Sequence, residues 1–183
     1  MNAAVRRIAG ITAAAWLIAG PCLAGQKIGQ PASPFTVVTF DNQKISSEEL
    51  RGKVMILNLW ATWCGPCRNE MLVMDTYVRR HSGSDLKIFA ITIDETATTA
   101  QLRPLAKALS FPLIRRLSGS GYGTIGGAVP TSYVIDRAGI VRLAQAGAFT
   151  AESIDQVITP LLAEPPPAPK LVEASAPGPQ RQP

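Results

Sequence analysis

Two apolar runs predict the central strands of a β-sheet. They are VMILNLW at 54–60 and DLKIFAITID at 85–94, and both carry β-forming residues at odd and even positions. Such runs are typical of strands that are buried on both faces, and we expect helices to cover them. A further strand is predicted over PFTVVTF at 34–40. A hairpin is predicted over 131–147, where TSYVID and IVRLAQAG are joined by the turn DRAG.

Three helices are predicted where apolar residues repeat at intervals of three and four. The first follows Cys64, and the third is capped by Thr150. The second is capped by Thr98 or Thr99 and holds Pro104 in its first turn. The apolar stripe of the first helix consists of Cys67, Met71, Met74 and Val78.

Two stretches are predicted to form neither a long helix nor a strand. ISSEELRGK at 45–53 is expected to form a short helical turn that ends at Gly52. Residues 112–130 contain five glycines and are expected to be mainly loop. The glycine-rich part, 119–127, is either a flexible edge of a binding groove or an irregular connection.

The predicted elements follow each other as a βαβ unit and then a ββα unit. This is the order of the thioredoxin-like fold, an α/β fold with a central mixed sheet flanked by helices. Two cysteines lie where the central strand meets the first helix. Open α/β sheets place their chemistry at this kind of junction.

The two ends of the chain are predicted to lie outside the folded domain. Residues 1–24 have two arginines followed by an apolar run at 8–20, which is too short for a membrane span and is typical of a signal peptide. Cleavage after Ala24 is expected; the alternatives are an uncleaved anchor or a lipidated Cys22, which the preceding Pro21 disfavours. Each of these alternatives places the domain outside the cytoplasm.

The folded domain is therefore predicted over 25–163, followed by a disordered tail. The tail, 164–183, has seven prolines in twenty residues and cannot build a core. Without the two arginines of the targeting segment, 16 basic residues face 13 acidic ones. This excess of positive charge is small, and the sequence has no basic run interleaved with aromatic residues. Nucleic acid is therefore not expected as a partner.

The segment ATWCGPC at 61–67 holds the candidate chemistry. Removal of the signal peptide would leave only Cys64 and Cys67, which excludes a four-cysteine zinc site and a disulfide framework. His81 lies about 20 Å further along the helix, so we expect no metal site and an exposed histidine. A structural bridge across two residues would stabilise the fold little.

A redox role accounts for the features of this segment better than a metal or structural role. Cys64 is at the predicted N-cap, where free N–H groups and the helix dipole favour a thiolate. The thiolate is the species that attacks disulfides. Cys67, one turn further on, is expected to be more buried and to complete the exchange.

Two longer segments are similar to a known family. GKVMILNLWATWCGPCRNEM and VPTSYVIDRAGIV resemble thiol–disulfide oxidoreductases of the TlpA/ResA type, which are exported thioredoxin-like proteins of the AhpC/TSA-like superfamily. The resemblance covers roughly 28–162. It implies that Cys64 is the nucleophile, that Cys67 is the resolving thiol, and that the Cys64–Cys67 disulfide replaces any external cofactor.

The resemblance also implies a client-binding surface. Pro130 would be a cis proline facing the cysteines, and Val129 would bind a client strand through its backbone. Trp63, Gly65 and Pro66 would complete the surface, with Trp63 on its apolar edge. The alternative for Pro130 is an ordinary proline at the start of a strand.

One acidic residue is a candidate for proton transfer. Asn58 stands where cytoplasmic thioredoxins carry a buried Asp, and an asparagine cannot titrate. Glu70 shares a helix face with Cys67 and could take its proton or raise its pKa. The alternative for Glu70 is a solvated glutamate in the first turn, stabilised by the helix dipole.

The resemblance implies a periplasmic, exported or membrane-anchored monomer that reduces protein disulfides. A membrane thiol donor would re-reduce it, and the clients would belong to cytochrome c maturation or to a copper-site protein. The alternatives are a disulfide-donating oxidase, a thiol peroxidase and a redox-silent binding module. The Gly-Pro centre favours reduction, and the motif lacks the spacing that peroxidases need.

Overall fold

The computed structural model of the protein describes residues 25–167, and within them the chain forms seven strands and three α-helices. The predicted targeting segment 1–24 and residues 168–183 of the predicted tail lie outside the described residues, and both stay predictions. The elements are β1 (Phe35–Thr39), β2 (Lys44–Ser46), β3 (Val54–Trp60), α1 (Gly65–Arg80), β4 (Leu86–Thr92), α2 (Thr99–Ala108), β5 (Leu113–Gly119), β6 (Thr131–Ile135), β7 (Val141–Ala146) and α3 (Ala151–Ala163).

All seven strands belong to one mixed sheet in the order β2-β1-β5-β4-β3-β6-β7. Strand β3 lies inside the sheet, parallel to β4 and antiparallel to β6. Every residue of β3 is buried. The predicted thioredoxin-like α/β fold is confirmed, since the sheet is mixed and helices pack on it.

The core has two parts, one on each face of the sheet. Alternate residues of a strand point to opposite faces, so Ile56 of β3 belongs to one cluster and Leu57 to the other. All three helices contribute to the cluster that contains Ile56. The cluster around Leu57 contains residues of strands, turns and loops, among them Leu50 and Tyr122. No helix of the described residues contributes to this second cluster, so the expectation of helices on both faces of β3 is wrong, although both faces are buried.

The predicted helix N-caps are confirmed. Thr98 forms a capping box with Gln101 at the start of α2, and Thr150 forms one with Ser153 at the start of α3. Pro104 lies inside α2 beyond its first turn, which corrects the prediction. A proline has no N–H to donate to the carbonyl oxygen four residues earlier. Since Pro104 is exposed, water can donate that hydrogen bond instead. No helix of the described residues is long and apolar enough to span a membrane.

Two strands occupy stretches that were predicted to lack them. Strand β2 pairs with β1 as a hairpin and takes the place of the first part of the predicted helical turn. Strand β5 pairs with β1 on one side and with β4 on the other. Only the first two residues of β5, Leu113 and Ile114, are buried, so its sequence lacks the apolar pattern of a strand. Hydrogen bonding to two neighbours, rather than local pattern, determines its conformation.

Candidate active site

The chain between β3 and α1 carries the two cysteines. Cys64 is the N-cap of α1, with φ −85° and ψ 105°, and Gly65 and Pro66 begin the helix. The backbone N–H of Cys67 donates to Cys64 Sγ at 3.2 Å. The two cysteines form a disulfide bond with their Cα atoms 5.3 Å apart. The helix N-terminus thus provides a backbone donor and a positive dipole end at Cys64 Sγ.

The two sulfur-bearing residues differ in access to solvent. Cys64 is 5% exposed, whereas Cys67 is completely buried. The side of Cys67 that faces the core packs with apolar residues of the helical cluster, including Met71. Cys64 is therefore the more exposed of the two cysteines.

A loop before β6 faces Cys64. The peptide bond between Val129 and Pro130 is cis, as the resemblance implied. Cys64 Sγ lies 3.7 Å from the carbonyl oxygen of Val129. The carbonyl oxygen of Pro130 accepts a hydrogen bond of 2.8 Å from the backbone N–H of Gly147, which fixes the loop to the end of β7. Val129 and Pro130 are thus brought beside Cys64 from 65 residues away.

Glu70 is buried inside the fold and not solvated. It is 1% exposed, and its carboxylate accepts hydrogen bonds from the backbone N–H of Phe149 at 2.9 Å and from Asn58 Nδ2 at 2.8 Å. Burial raises the pKa of Glu70 to about 7, while the two hydrogen bonds oppose that rise. The alternative of an exposed first-turn glutamate is wrong, because the segment before α3 covers this side of α1.

Asn58 links Glu70 to the neighbouring strand. Its Nδ2 also donates to Ser132 Oγ at 2.9 Å, and both residues are completely buried. Asn58 and Ser132 are direct partners across the β3–β6 pair. Within the part of the chain that the structure describes, Asn58 Oδ1 has no hydrogen-bond partner. Sequence reasoning identified Asn58 as unable to titrate, but it gave no signal for Ser132 or for the N–H of Phe149.

The two tryptophans near the cysteines have different surroundings. Trp63 is 70% exposed beside Cys64, whereas Trp60 at the end of β3 is 1% exposed. Between them, Thr62 donates a hydrogen bond to Asp94, which follows β4. Trp63 thus presents an apolar ring to solvent from a loop that is anchored to the neighbouring strand end.

A groove of about 480 Å³ lies next to this loop, between α1 and α2. Its walls are mainly apolar and include Trp60, Met71, Leu72 and Leu105. Sequence analysis did not find this groove, because its walls come from two separate helices and the end of β3.

Among residues 25–167, no three His, Cys, Asp or Glu side chains are grouped so that they could hold a metal ion. His81 is half-buried at the C-cap of α1, which corrects the expectation of an exposed side chain. Its ring stacks on Tyr77 with centroids 4.1 Å apart, and its Nδ1 lies 3.0 Å from the Tyr77 carbonyl oxygen. These contacts hold the His81 ring against the last turn of α1.

Comparisons with known proteins agree with this geometry. Residues 28–144 match the profile of the AhpC/TSA family. The chain is 33% identical to the thiol-disulfide oxidoreductase ResA of Bacillus thuringiensis over 130 residues, which are 70% of this chain and 75% of that protein. It is 30% identical to the thioredoxin-like protein YneN of Bacillus subtilis over 139 residues, 72% of this chain and 79% of that one.

A solved structure shows the same fold. It is a thiol:disulfide interchange protein of the thioredoxin family from Chlorobium tepidum TLS, 27% identical, with a TM-score of 0.62. The match covers 75% of this chain and 99% of that chain.

Proposed function

We propose that the chain, which belongs to the AhpC/TSA family and is a thiol–disulfide oxidoreductase, works as a reductase of protein disulfides. One observation carries the proposal. The sulfur of Cys64, which is the more exposed of the two cysteines, accepts a backbone N–H of the helix N-terminus and lies 3.7 Å from the Val129 carbonyl oxygen. A thiolate at Cys64 is favoured there, next to backbone that a client strand can use.

The reaction would begin from the dithiol form. The Cys64 thiolate attacks one sulfur of a client disulfide; the client S–S bond breaks, a mixed disulfide forms, and the released client thiolate takes a proton from solvent. Cys67 then loses its proton, and its thiolate attacks Cys64 Sγ. The Cys64–Cys67 bond forms, the bond between Cys64 and the client breaks, and the second client thiolate leaves and takes a proton from solvent. Two electrons have moved from the protein to the client. The client's two protons come from solvent, to which Cys64 and, through Glu70, Cys67 release theirs.

Glu70 would accept the proton of Cys67 in the second step. Its carboxyl lies one turn after Cys67 on α1 and is shielded from solvent. A proton acceptor is most effective when its pKa lies near the working pH. Burial raises the pKa of Glu70 to about 7, which meets that condition.

The client would dock across Trp63 and the Val129–Pro130 loop. Trp63 supplies exposed apolar area, and Val129 supplies a backbone group for an extended client segment. Gly65 allows a client backbone to come close, since nothing lies within 4 Å of the position its Cβ would take. Pro66 in the first turn of α1 stiffens the link between the cysteines.

We place this reaction outside the cytoplasm. The composition of residues 1–24 supports export to the periplasm, with cleavage after Ala24 or retention as an inner-membrane anchor. A monomer there would need re-reduction by a membrane thiol donor, since each turnover leaves it oxidised. The family resemblance supports clients in cytochrome c maturation or at a copper-site protein.

A trapping experiment tests the roles of the two cysteines. The Cys67→Ala variant is expected to stall as a mixed disulfide through Cys64, because the resolving thiol is absent, and mass spectrometry then identifies the trapped client. The matched control Cys64→Ala should trap nothing, since Cys67 is completely buried. Trapping by Cys64→Ala alone would reverse the assignment.

A redox titration tests the direction. Equilibration with thiol–disulfide buffers is expected to give a midpoint below about −250 mV, in the range of reductants. A midpoint near about −120 mV would identify a disulfide-donating oxidase instead. Fast turnover with hydrogen peroxide would point to a thiol peroxidase.

A further inference from the structure

The buried carboxylate of Glu70 has an unusual set of neighbours. Its hydrogen-bond donors are an amide side chain from β3 and a backbone N–H from the segment before α3. Both are uncharged, and no charged side chain among the described residues contributes to the shift in its pKa. The titratable group nearest along its own helix face is Cys67, which the disulfide prevents from titrating.

The amide of Asn58 has the orientation that suits an ionised Glu70. One N–H of Asn58 Nδ2 points to Glu70 Oε2 and the other to Ser132 Oγ. This arrangement leaves Asn58 Oδ1 buried without a partner among residues 25–167. A buried acceptor without a partner is unfavourable, so the hydrogen bonds of Nδ2 must offset it. A hydrogen bond to a charged carboxylate is about twice as strong as one between neutral groups.

We propose that Asn58 is a positioning residue that stabilises the carboxylate form of Glu70, while Ser132 accepts the second N–H of the same amide. The inference rests on the proposed role of Glu70 as the proton acceptor for Cys67. Asn58 then acts through Glu70 and touches neither the client nor the cysteine sulfurs in the exchange. Its side chain keeps a deeply buried acid able to ionise near neutral pH.

The register of β3 and β6 supports the direct hydrogen bond between Asn58 and Ser132. Asn58 and Ser132 are paired residues of β3 and β6, so their side chains lie on the same face of the sheet. Both strands are completely buried, which leaves the Asn58 amide no water with which to exchange its partners. Ser132 also follows Pro130 by two residues. The chain of contacts therefore runs from α1 through β3 to the strand that follows the client-binding loop.

The test is a titration of Glu70 in the oxidised protein, followed by ¹³C NMR of its side-chain carboxyl. Asn58→Leu keeps a similar volume and removes both N–H donors. The midpoint of Glu70 is expected to rise by roughly one to two pH units, because a hydrogen bond to a charged group is lost. An unchanged midpoint in Asn58→Leu would overturn the inference.

Two further variants distinguish this role from general damage to the core. Ser132→Ala removes the other partner of Asn58 but leaves the bond to Glu70, so the midpoint should move by less than roughly half a pH unit. An equal shift of the Glu70 midpoint in both variants would mean that any loss of packing near Asn58 is enough to raise the pKa of Glu70. That result would also overturn the inference. If Asn58→Leu does not fold, Asn58→Asp keeps the shape and puts a second carboxylate against Glu70. The pair should then titrate in two separated steps.

The same variants connect the titration to the reaction. In single-turnover reduction of a test disulfide, the limb of the pH–rate profile assigned to Glu70 should move in Asn58→Leu by the shift that NMR measures. Failure of wild-type protein to reduce any disulfide would refute the proposed function but leave the NMR result valid. A moved NMR midpoint with an unmoved rate profile would refute the link between Asn58 and the exchange.

Discussion

Replacing Glu70 by glutamine should change how the stability of the oxidised protein depends on pH. In the folded protein burial raises the pKa of Glu70 from 4.5 to about 7, whereas the unfolded chain restores the ordinary value. Between these two values the folded protein binds more protons than the unfolded chain. The free energy of unfolding therefore falls as pH rises through this window and levels off above it.

The size of the effect follows from the shift. A difference of about 2.5 pH units at about 1.4 kcal/mol per unit gives about 3 kcal/mol over the whole window, and about 2.5 kcal/mol of it falls between pH 5 and pH 8. Glutamine keeps the shape and has no proton to lose, so this term vanishes. Burial alone would raise the pKa of Asp75, but hydrogen bonds donated by Arg79 and Ser110 together lower it; a hydrogen bond donated by Thr62 is the main cause of the lowered pKa of Asp94. Their contribution is lost only as pH falls below about 4, outside the window.

Urea denaturation of the oxidised protein at pH 5 and at pH 8 measures the effect. Wild type should lose about 2.5 kcal/mol between the two, and Glu70→Gln should lose less than about 0.5 kcal/mol. The matched control is Glu95→Gln, which removes an exposed carboxylate and should behave like wild type. The reasoning is refuted if Glu70→Gln keeps the pH dependence of wild type, because the proton that links stability to pH would then belong to another group.

Two other variants give expectations of a different kind. Gly119 has φ +147°, and a Cβ there would lie 2.8 Å from the Pro34 carbonyl oxygen. Gly119→Ala should therefore lower the free energy of unfolding by about 1–3 kcal/mol. The control Gly123→Ala should change it little, since a Cβ at Gly123 would meet no described atom within 4 Å. Equal values for the two variants in urea denaturation would contradict this. Trp63→Ala should leave stability unchanged, because the ring is 70% exposed, but should lower kcat/KM for a client disulfide roughly tenfold. Ile28→Ala, which removes a similarly exposed apolar side chain far along the chain from the cysteines, should alter neither quantity, and an equal loss of activity in both variants would count against docking at Trp63.

The elements that the sequence predicted correctly depend on neighbours along the chain. A run such as 54–60 signals a buried strand by its own composition, and a threonine just before an apolar pattern of helical spacing signals a helix start. The position of Cys64 at a helix N-cap is equally local. Strand β5 could not be found in this way, because pairing with β1 and β4 compensates for its exposed arginines and serine. The face of the sheet that the helices leave uncovered gave no signal either, since turns and loops from several parts of the chain fill it.

The sequence by itself therefore determined the redox pair, its place at the start of a helix, and the order of the main elements, since backbone caps and side-chain periodicity act over a few residues. Only the tertiary structure decided what surrounds that pair. The contacts that define the site join residues 65 to 79 positions apart: Cys64 with Val129, Asn58 with Ser132, and Phe149 with Glu70. Burial of Glu70 exists only when α1, β3 and the segment before α3 have come together. Its proton affinity is for that reason a property of the packed fold and cannot be read from the residues beside it.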